Sequence, residues 1–378
     1  MHLACSINKK YIKYFSVMIQ SILNNSKCRS ITIHVLHSDL VNEDQEFIRS
    51  IFSEFDYVEF FFYKIDQENV QVFPVVADHL TVETLYRLML AKLLPQTISK
   101  VLYIDSDMLF KADVMEVWST DLGSYPIAAV ANLEGIMYQK LDLNSKFDYF
   151  NAGFILINLT LWREKEYFEL FAEYTKENKE KIIFGDQDVL NGFFKGNWIR
   201  LHPKWNVQNS LYFTKENFCE FYSEKIYEEI TERPFGIHFS GKNKPWNLLN
   251  NQVNYKEFFD VLFEMKVWES SIINNNLLNN NEDIYIFGTG EFGKTVFNIL
   301  KYFNVKVSGF LDNDKSKWGS NLEDSKIIAP QQLFMENNNI KLLICSMYYQ
   351  EILKSLNEIK FDFSKITILT PDSENLLI

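Results

Sequence analysis

Lys100-Val-Leu-Tyr-Ile-Asp-Ser-Asp107 is the stretch on which the reading of this chain turns. Lys100–Ile104 is a short apolar run with a strand's composition, and it ends in two carboxylates one residue apart. On an extended backbone, positions i and i+2 face the same side, so Asp105 and Asp107 can meet one object. Two like charges held close repel unless a cation lies between them. A hard divalent ion that also takes phosphate oxygens would resolve that conflict.

Around this strand the first 250 residues alternate strand and helix signals, the pattern of a mainly parallel α/β sheet. His2–Ser6, Ser30–Leu36, Tyr57–Phe62, Lys100–Ile104 and Phe154–Asn158 read as strands. Tyr11, Phe15, Met18 and Ile22 repeat at helical spacing, and Glu43–Phe55, Thr84–Leu93 and Leu161–Lys176 also read as helices. After Trp246 the pattern changes to a helix over Val253–Trp268 and an asparagine run over 274–281, the best linker in the chain. A fresh α/β unit then starts at Asp283. The expected division is 1–250, a linking segment 251–282, and a small doubly wound domain 283–378.

Composition narrows the function. The chain has 378 residues, 47% of them hydrophobic, and a formal charge of −12. That balance opposes general nucleic-acid binding, which needs a basic surface, but leaves room for a local cationic pocket. Cys5, Cys28, Cys219 and Cys345 form no C-x-x-C pair and suit a reducing compartment. No run of eighteen apolar residues is present, and the N-terminal residues lack a signal peptide's regions. A cytoplasmic location is expected, with peripheral contact at the inner face of the membrane as an option.

Other segments carry polar groups that suit the same purpose. Thr84-Leu-Tyr-Arg87 sets an arginine just upstream of the strand, and Tyr149-Phe-Asn-Ala-Gly153 and Phe184-Gly-Asp-Gln-Asp188 place amides and carboxylates in turns. His238-Phe-Ser-Gly-Lys-Asn-Lys-Pro-Trp246 joins an imidazole, a glycine and lysines. Arginine and lysine hold phosphates, glycine allows close backbone approach, and histidine completes a metal's shell.

In order and spacing these blocks resemble glycosyltransferase family 8, the retaining group that includes glycogenin and the lipopolysaccharide galactosyl- and glucosyltransferases. The likeness rests on Tyr-Arg at 86–87, Val-Leu-Tyr-Ile-Asp-Ser-Asp at 101–107, Phe-Asn-Ala-Gly at 150–153, Asp-Gln-Asp-Val-Leu-Asn at 186–191 and His-Phe-Ser-Gly…Lys-Pro-Trp at 238–246. It implies a GT-A fold, a UDP-hexose donor, Mn²⁺ and a glycan or glycosylated-protein acceptor. By the same likeness Asp105, Asp107 and His238 would hold the metal. Two carboxylates and one imidazole suit Mn²⁺ or Mg²⁺ better than a thiolate-type ion.

The resemblance further implies that Lys244 and the Gly241 N–H hold the β-phosphate and that Arg87 faces sugar and phosphate. Ser106, Asn151, Ala152, Asp186 and Gln187 would line the donor pocket. Gln187 would lie beneath the anomeric carbon, where its weakly basic amide makes a poor nucleophile and favours front-face attack. Asp186 or Asp188 is the alternative nucleophile, and Asp188 serves equally well as a helix cap. The family's first strand often ends in acids that read uracil; here it runs Ser6-Ile-Asn-Lys-Lys-Tyr11, leaving Asn8 to bond the base edge and Tyr11 to stack on it.

Gly288-Thr-Gly-Glu-Phe-Gly293, with Asp312 about twenty residues on, has the spacing of a dinucleotide fingerprint. The surrounding domain resembles small Rossmann-like units attached to sugar-modifying enzymes. An accessory or oligomerising role and a nucleotide site are both open for it. Two alternatives to transfer therefore stand: a nicotinamide-dependent oxidoreductase or epimerase built on that turn, and a non-catalytic binder of nucleotide sugars.

Overall fold

The computed structural model describes residues 1–73, 82–133, 137–241, 244–246, 253–265, 267, 282–302, 305–333, 339–346 and 348–369. His79, which the family likeness would set near the donor, and the asparagine run 274–281 lie outside them. The chain divides into residues 1–242 with 256–265, and residues 243–255 with 266–378.

In the first unit, β1 (His2–Ser6), β2 (Ile31–His37), β3 (Val58–Lys64) and β4 (Lys100–Ile104) pair in parallel. Helices Ile12–Asn25 and Asn42–Ile51 make crossovers between them, as parallel neighbours require. Val101–Ile104 is buried throughout, which explains why this strand is a continuous apolar run and not an alternating one.

Beyond it come β5 (Met108–Phe110), β6 (Ile127–Ala131), β7 (Phe150–Asn158) and β8 (Ile199–Arg200). Among the described residues the main sheet runs β3-β2-β1-β4-β7-β6-β8, with β7 antiparallel to both neighbours. A smaller sheet joins β5, β10 (Gly236–His238) and β9 (Val207–Gln208), with β10 in the middle. In it His238 lies opposite Met108 and beside Gln208.

Three local expectations change. Phe150-Asn-Ala-Gly153 is the start of β7, not a turn, because its backbone pairs with the end of β4 through Asp105 N–H to Gly153 O at 2.8 Å. Residues Val82–Met89 wind as a 3-10 helix before a short α-turn at Leu90–Leu93. Three residues per turn puts Arg87 directly over Thr84, and its Nε donates to the Thr84 carbonyl at 2.9 Å. The single helix expected over 161–176 is two, Leu159–Glu164 and Tyr167–Glu177, broken by left-handed Glu166.

In the second unit, β11 (Asp283–Phe287), β12 (Val307–Leu311), β14 (Ser325–Ile328), β15 (Ile340–Cys345) and β16 (Ile366–Leu369) are parallel. The order is β14-β12-β11-β15-β16, with β13 (Asn321–Leu322) added as a hairpin on β14. Helices Glu291–Tyr302 and Tyr349–Glu358 form crossovers, so the sheet is doubly wound about β11.

The glycine turn after β11 is largely explained by packing. A Cβ at Gly288 (φ +115°) would lie 2.6 Å from the Cys345 carbonyl, and one at Gly293 would lie 1.9 Å from the Gly288 carbonyl. Asp312 takes hydrogen bonds from Thr289 and, at 2.9 Å, from Lys317. Burial pushes its carboxyl up, but those donors and the Asp314 N–H outweigh it and hold the group below the usual range.

Candidate active site

Asp105, Asp107 and His238 come together: each offers one ligand atom, and these atoms lie within 4.8 Å of one another. Two sheets bring this about. Strand β4 delivers the aspartates to its exit, and the β5–β10 pairing returns His238 across 131 residues of chain to the same place, with the Phe239 N–H on the Asp107 carbonyl at 3.0 Å. His238 Nε2 then lies 3.3 Å from Asp107 Oδ1.

The tautomer of His238 follows from a chain of bonds that starts on the backbone. Gly153 N–H can only donate, so the Asn151 atom it reaches at 3.0 Å is Oδ1. Asn206 must therefore offer Nδ2 to that oxygen, at 2.9 Å, which leaves Asn206 Oδ1 to face His238 Nδ1 at 2.9 Å. The imidazole carries a proton on Nδ1 and turns Nε2 toward the carboxylates, the arrangement of a ligating histidine.

The space between these groups suits an ion. A Cβ on Gly153 would lie 2.5 Å from His238 Cε1 and 2.6 Å from Asp105 Oδ2, so the glycine keeps a cradle open beside two of the three groups. Oxygen and imidazole donors without thiolate fit Mn²⁺ or Mg²⁺.

Arg87 lies beneath this surface instead of in it. It is 2% exposed, its NH2 holds Asp105 Oδ1 at 2.9 Å, its Nε holds Asp186 Oδ2 at 2.9 Å, and its NH1 donates to the Ala152 carbonyl. The guanidinium also covers the Tyr103 ring at 4.3 Å. Where the family likeness implies a contact with sugar and phosphate, the side chain lies buried between two carboxylates. Burial works against its charge, but Asp105 and Asp186 outweigh it and keep it protonated. Burial pushes the Asp186 carboxyl up to about 6, with Arg87 pulling the other way.

Asp188 is fully buried and its oxygens are spent. Oδ1 accepts from Tyr149 Oη at 2.6 Å, and Oδ2 accepts the Ile183 and Phe184 N–H groups at 2.7 Å each. It pins the loop ahead of helix Asp186–Phe194, whose N-cap is Gly185. Asn151 likewise turns inward, giving Nδ2 to Gln187 Oε1 at 3.1 Å. Ser106 and Ala152 are buried beside these groups.

At the far end of the site Asn8 Oδ1 is buried and meets no donor among the described residues. Lys9 turns elsewhere: Asp39 accepts its N–H at 3.1 Å, and its ammonium pairs with Asp44 at 2.9 Å. Tyr11 ends that turn and packs edge-on against Tyr14. Gly241 has φ +83° with open space where a Cβ would be, and Lys244 lies past the division, in the second unit.

Sequence reasoning missed Asn206, Gln208 and Asp39. Each lies outside the motif blocks, and no spacing rule marks an isolated amide two strands away. Tyr149 was inside a quoted block but carried no assigned role.

A family model described as glycosyl transferase family 8 matches residues 2–249, and a second, described as C2185-like, N-terminal, matches residues 280–367. General stress protein A of Bacillus subtilis is 26% identical over 267 residues, covering 69% of this chain and 93% of its own. The lipopolysaccharide 1,3-galactosyltransferase of Salmonella typhimurium is 26% identical over 254 residues, covering 65% of this chain and 73% of its own. The crystal structure of galactosyltransferase LgtC with donor and acceptor sugar analogues superposes with a TM-score of 0.62 at 25% identity, over 70% of this chain and 96% of that one. The oxidoreductase alternative gives way, since the matched catalytic region is the one that holds the paired aspartates. On the extent of that match, about two-thirds of its length, this chain belongs to glycosyltransferase family 8 and is an enzyme of the GT-A type.

Proposed function

We propose that the protein transfers a hexose from a UDP-sugar to a glycan or glycosylated protein, with retention of anomeric configuration and with a divalent cation, Mn²⁺ before Mg²⁺. The observation that carries this reading is the meeting of Asp105, Asp107 and a tautomer-fixed His238 within 4.8 Å. When bound there, a divalent cation offsets the negative charge that grows on a departing diphosphate.

The chain's own residues supply the rest. Asn8 Oδ1, a buried acceptor that meets no donor among the described residues, suits the N3–H of uracil, and Tyr11, at the end of the same turn, would cover the base. The Gly241 N–H would take the β-phosphate; a well-placed donor there is worth about 3 kcal/mol at the transition state. Arg87 keeps Asp105 oriented so that Oδ2 is the oxygen turned to the ligand. Asp186 Oδ2, both Asp188 oxygens and the Gln187 oxygen are held by protein donors, which supports front-face attack over a nucleophile from this triplet. Front-face attack follows: the bond from C1 to phosphate breaks, the acceptor oxygen bonds C1 on the same face, and its proton passes to the departing phosphate.

A small cleft, open to solvent, shares Asn206 and Gln208 with the site and continues along Asn132, Ser210, Thr214 and Phe218. Amides and hydroxyls with no charge suit a sugar acceptor. Among the described residues no helix is long and apolar enough to cross a membrane; we place the reaction in the cytoplasm and give the second unit an accessory or oligomerising role.

The test is a panel of nucleotide sugars with Mn²⁺, reading nucleotide released. One UDP-hexose should stand out, and both chelator and Asp107→Ala should abolish its turnover. Activity that survives both would refute the metal-dependent reading.

A further inference from the structure

We propose that Tyr149 is a positioning residue: its hydroxyl locks the Gln187 amide with the oxygen inward, so that Gln187 meets the donor sugar through an N–H. This goes beyond the transferase reading and rests on it.

The orientation of Gln187 is decided by a backbone donor. The Ala152 N–H reaches a Gln187 atom at 3.0 Å, and a donor can only be met by an oxygen, so that atom is Oε1. Asn151 Nδ2 approaches the same oxygen at 3.1 Å. Asn151 cannot be turned the other way, because its own Oδ1 is fixed by the Gly153 N–H. Both lone pairs of the Gln187 oxygen are thereby occupied.

The other end of the amide is set by Tyr149, whose hydroxyl lies 2.9 Å from Nε2. That hydroxyl has one proton and gives it to Asp188 Oδ1 at 2.6 Å, so it must accept from Gln187. Asp188 holds this sense because its second oxygen is loaded by two backbone N–H groups. Tyr149 is 3% exposed, and its ring packs with Met137, Leu141 and Leu143, so the hydroxyl is held in place from behind.

One Nε2 hydrogen goes to Tyr149, and the second is what Gln187 retains for a ligand. Within the triplet, Gln187 alone is partly exposed, between buried Asp186 and Asp188. A sugar beside it meets a donor suited to a hydroxyl or ring oxygen, and the amide oxygen is withheld from both nucleophilic and basic roles.

Tyr149→Phe removes the hydroxyl and keeps the ring. Three measurements decide the matter. With a UDP-hexose, kcat should fall about tenfold, the scale of one lost bond in a positioned group, while UDP affinity and donor KM stay within twofold. Combined with Gln187→Ala, Tyr149→Phe should add no further loss, since both act through one amide. In protein labelled with ¹⁵N-glutamine, the Gln187 side-chain NH₂ signal, assigned by its absence in Gln187→Ala, should exchange with water slowly in the wild type and faster in Tyr149→Phe.

Unchanged kcat, multiplying losses in the double variant, or an unmoved NH₂ signal would each overturn the proposal. The exchange measurement needs no turnover. A wild type inactive on every nucleotide sugar would refute the UDP-hexose reading, while the NH₂ signal would still decide the role of Tyr149.

Discussion

Gly153→Ala tests whether Asp105, Asp107 and His238 share one ion. The backbone at Gly153 is not left-handed, so an alanine adopts it without strain, and the effect is confined to one added methyl group. That methyl would lie 2.5 Å from His238 Cε1 and 2.6 Å from Asp105 Oδ2, against ordinary contact from 3.4 Å. Each group must retreat by roughly 0.8–0.9 Å, the difference between those distances. Metal sites tolerate about 0.2 Å in a ligand distance, so the shift exceeds the tolerance about fourfold. Disturbance of ligand orientation typically costs about 10–100-fold in affinity, and overpacking costs about 1–3 kcal/mol of stability. Titration of Mn²⁺ by electron paramagnetic resonance, with UDP present, should show that loss, while circular dichroism reports a folded protein. Mn²⁺ affinity within threefold of wild type in folded Gly153→Ala would refute the shared ion.

The remaining predictions concern the supporting bonds. Asn206→Leu leaves His238 Nδ1–H and Asn151 Oδ1 each short of a partner, and Mn²⁺ affinity should fall about tenfold or more by the same titration. Arg87→Met leaves two carboxylates against a buried apolar chain, so urea denaturation should show a loss of about 3–5 kcal/mol, partly recovered by adding Asp186→Asn. Asp186 has a folded pKa of about 6 against an ordinary 3.8, so the folded state binds more protons between those values. Its contribution is fully present below that window and is lost as pH rises through it, and Asp186→Asn should flatten this part of the stability profile measured in urea. In the second unit Gly293→Ala should lower the melting temperature by several degrees, whereas Gly290→Ala, with open space at its Cβ, should leave it unchanged.

Most of the framework was legible because hydrophobic patterning is local. The run at 100–104 reads as a buried strand without reference to anything else, and the apolar spacing at Tyr11, Phe15, Met18 and Ile22 falls within one observed helix. The failures have local causes too. The reversed strand β7 was read as beginning at Phe154, because Asn151 and Gly153 look like turn residues until the partner strand that needs them is known. Broken helicity at Glu166 had no glycine or proline to announce it.

By itself, the order of residues determined the family, the paired carboxylates and the identity of the groups able to hold a cation. Those are properties of side-chain type and short spacing, which the chain carries before it folds. Only the tertiary structure decided what each group meets. Arg87 is a buried tie between Asp105 and Asp186, which no spacing in the sequence announces. Asp188, a nominal nucleophile, became the pin of its own loop, and Asn206, unmarked in the sequence, fixed the tautomer of His238. A side chain's role depends on which donors and acceptors fold against it, and those partners come from elements far apart in the chain, as when His238 Nε2 meets Asp107 across 131 residues. That pairing is fixed by burial and hydrogen-bond satisfaction across the whole unit, which no local pattern encodes.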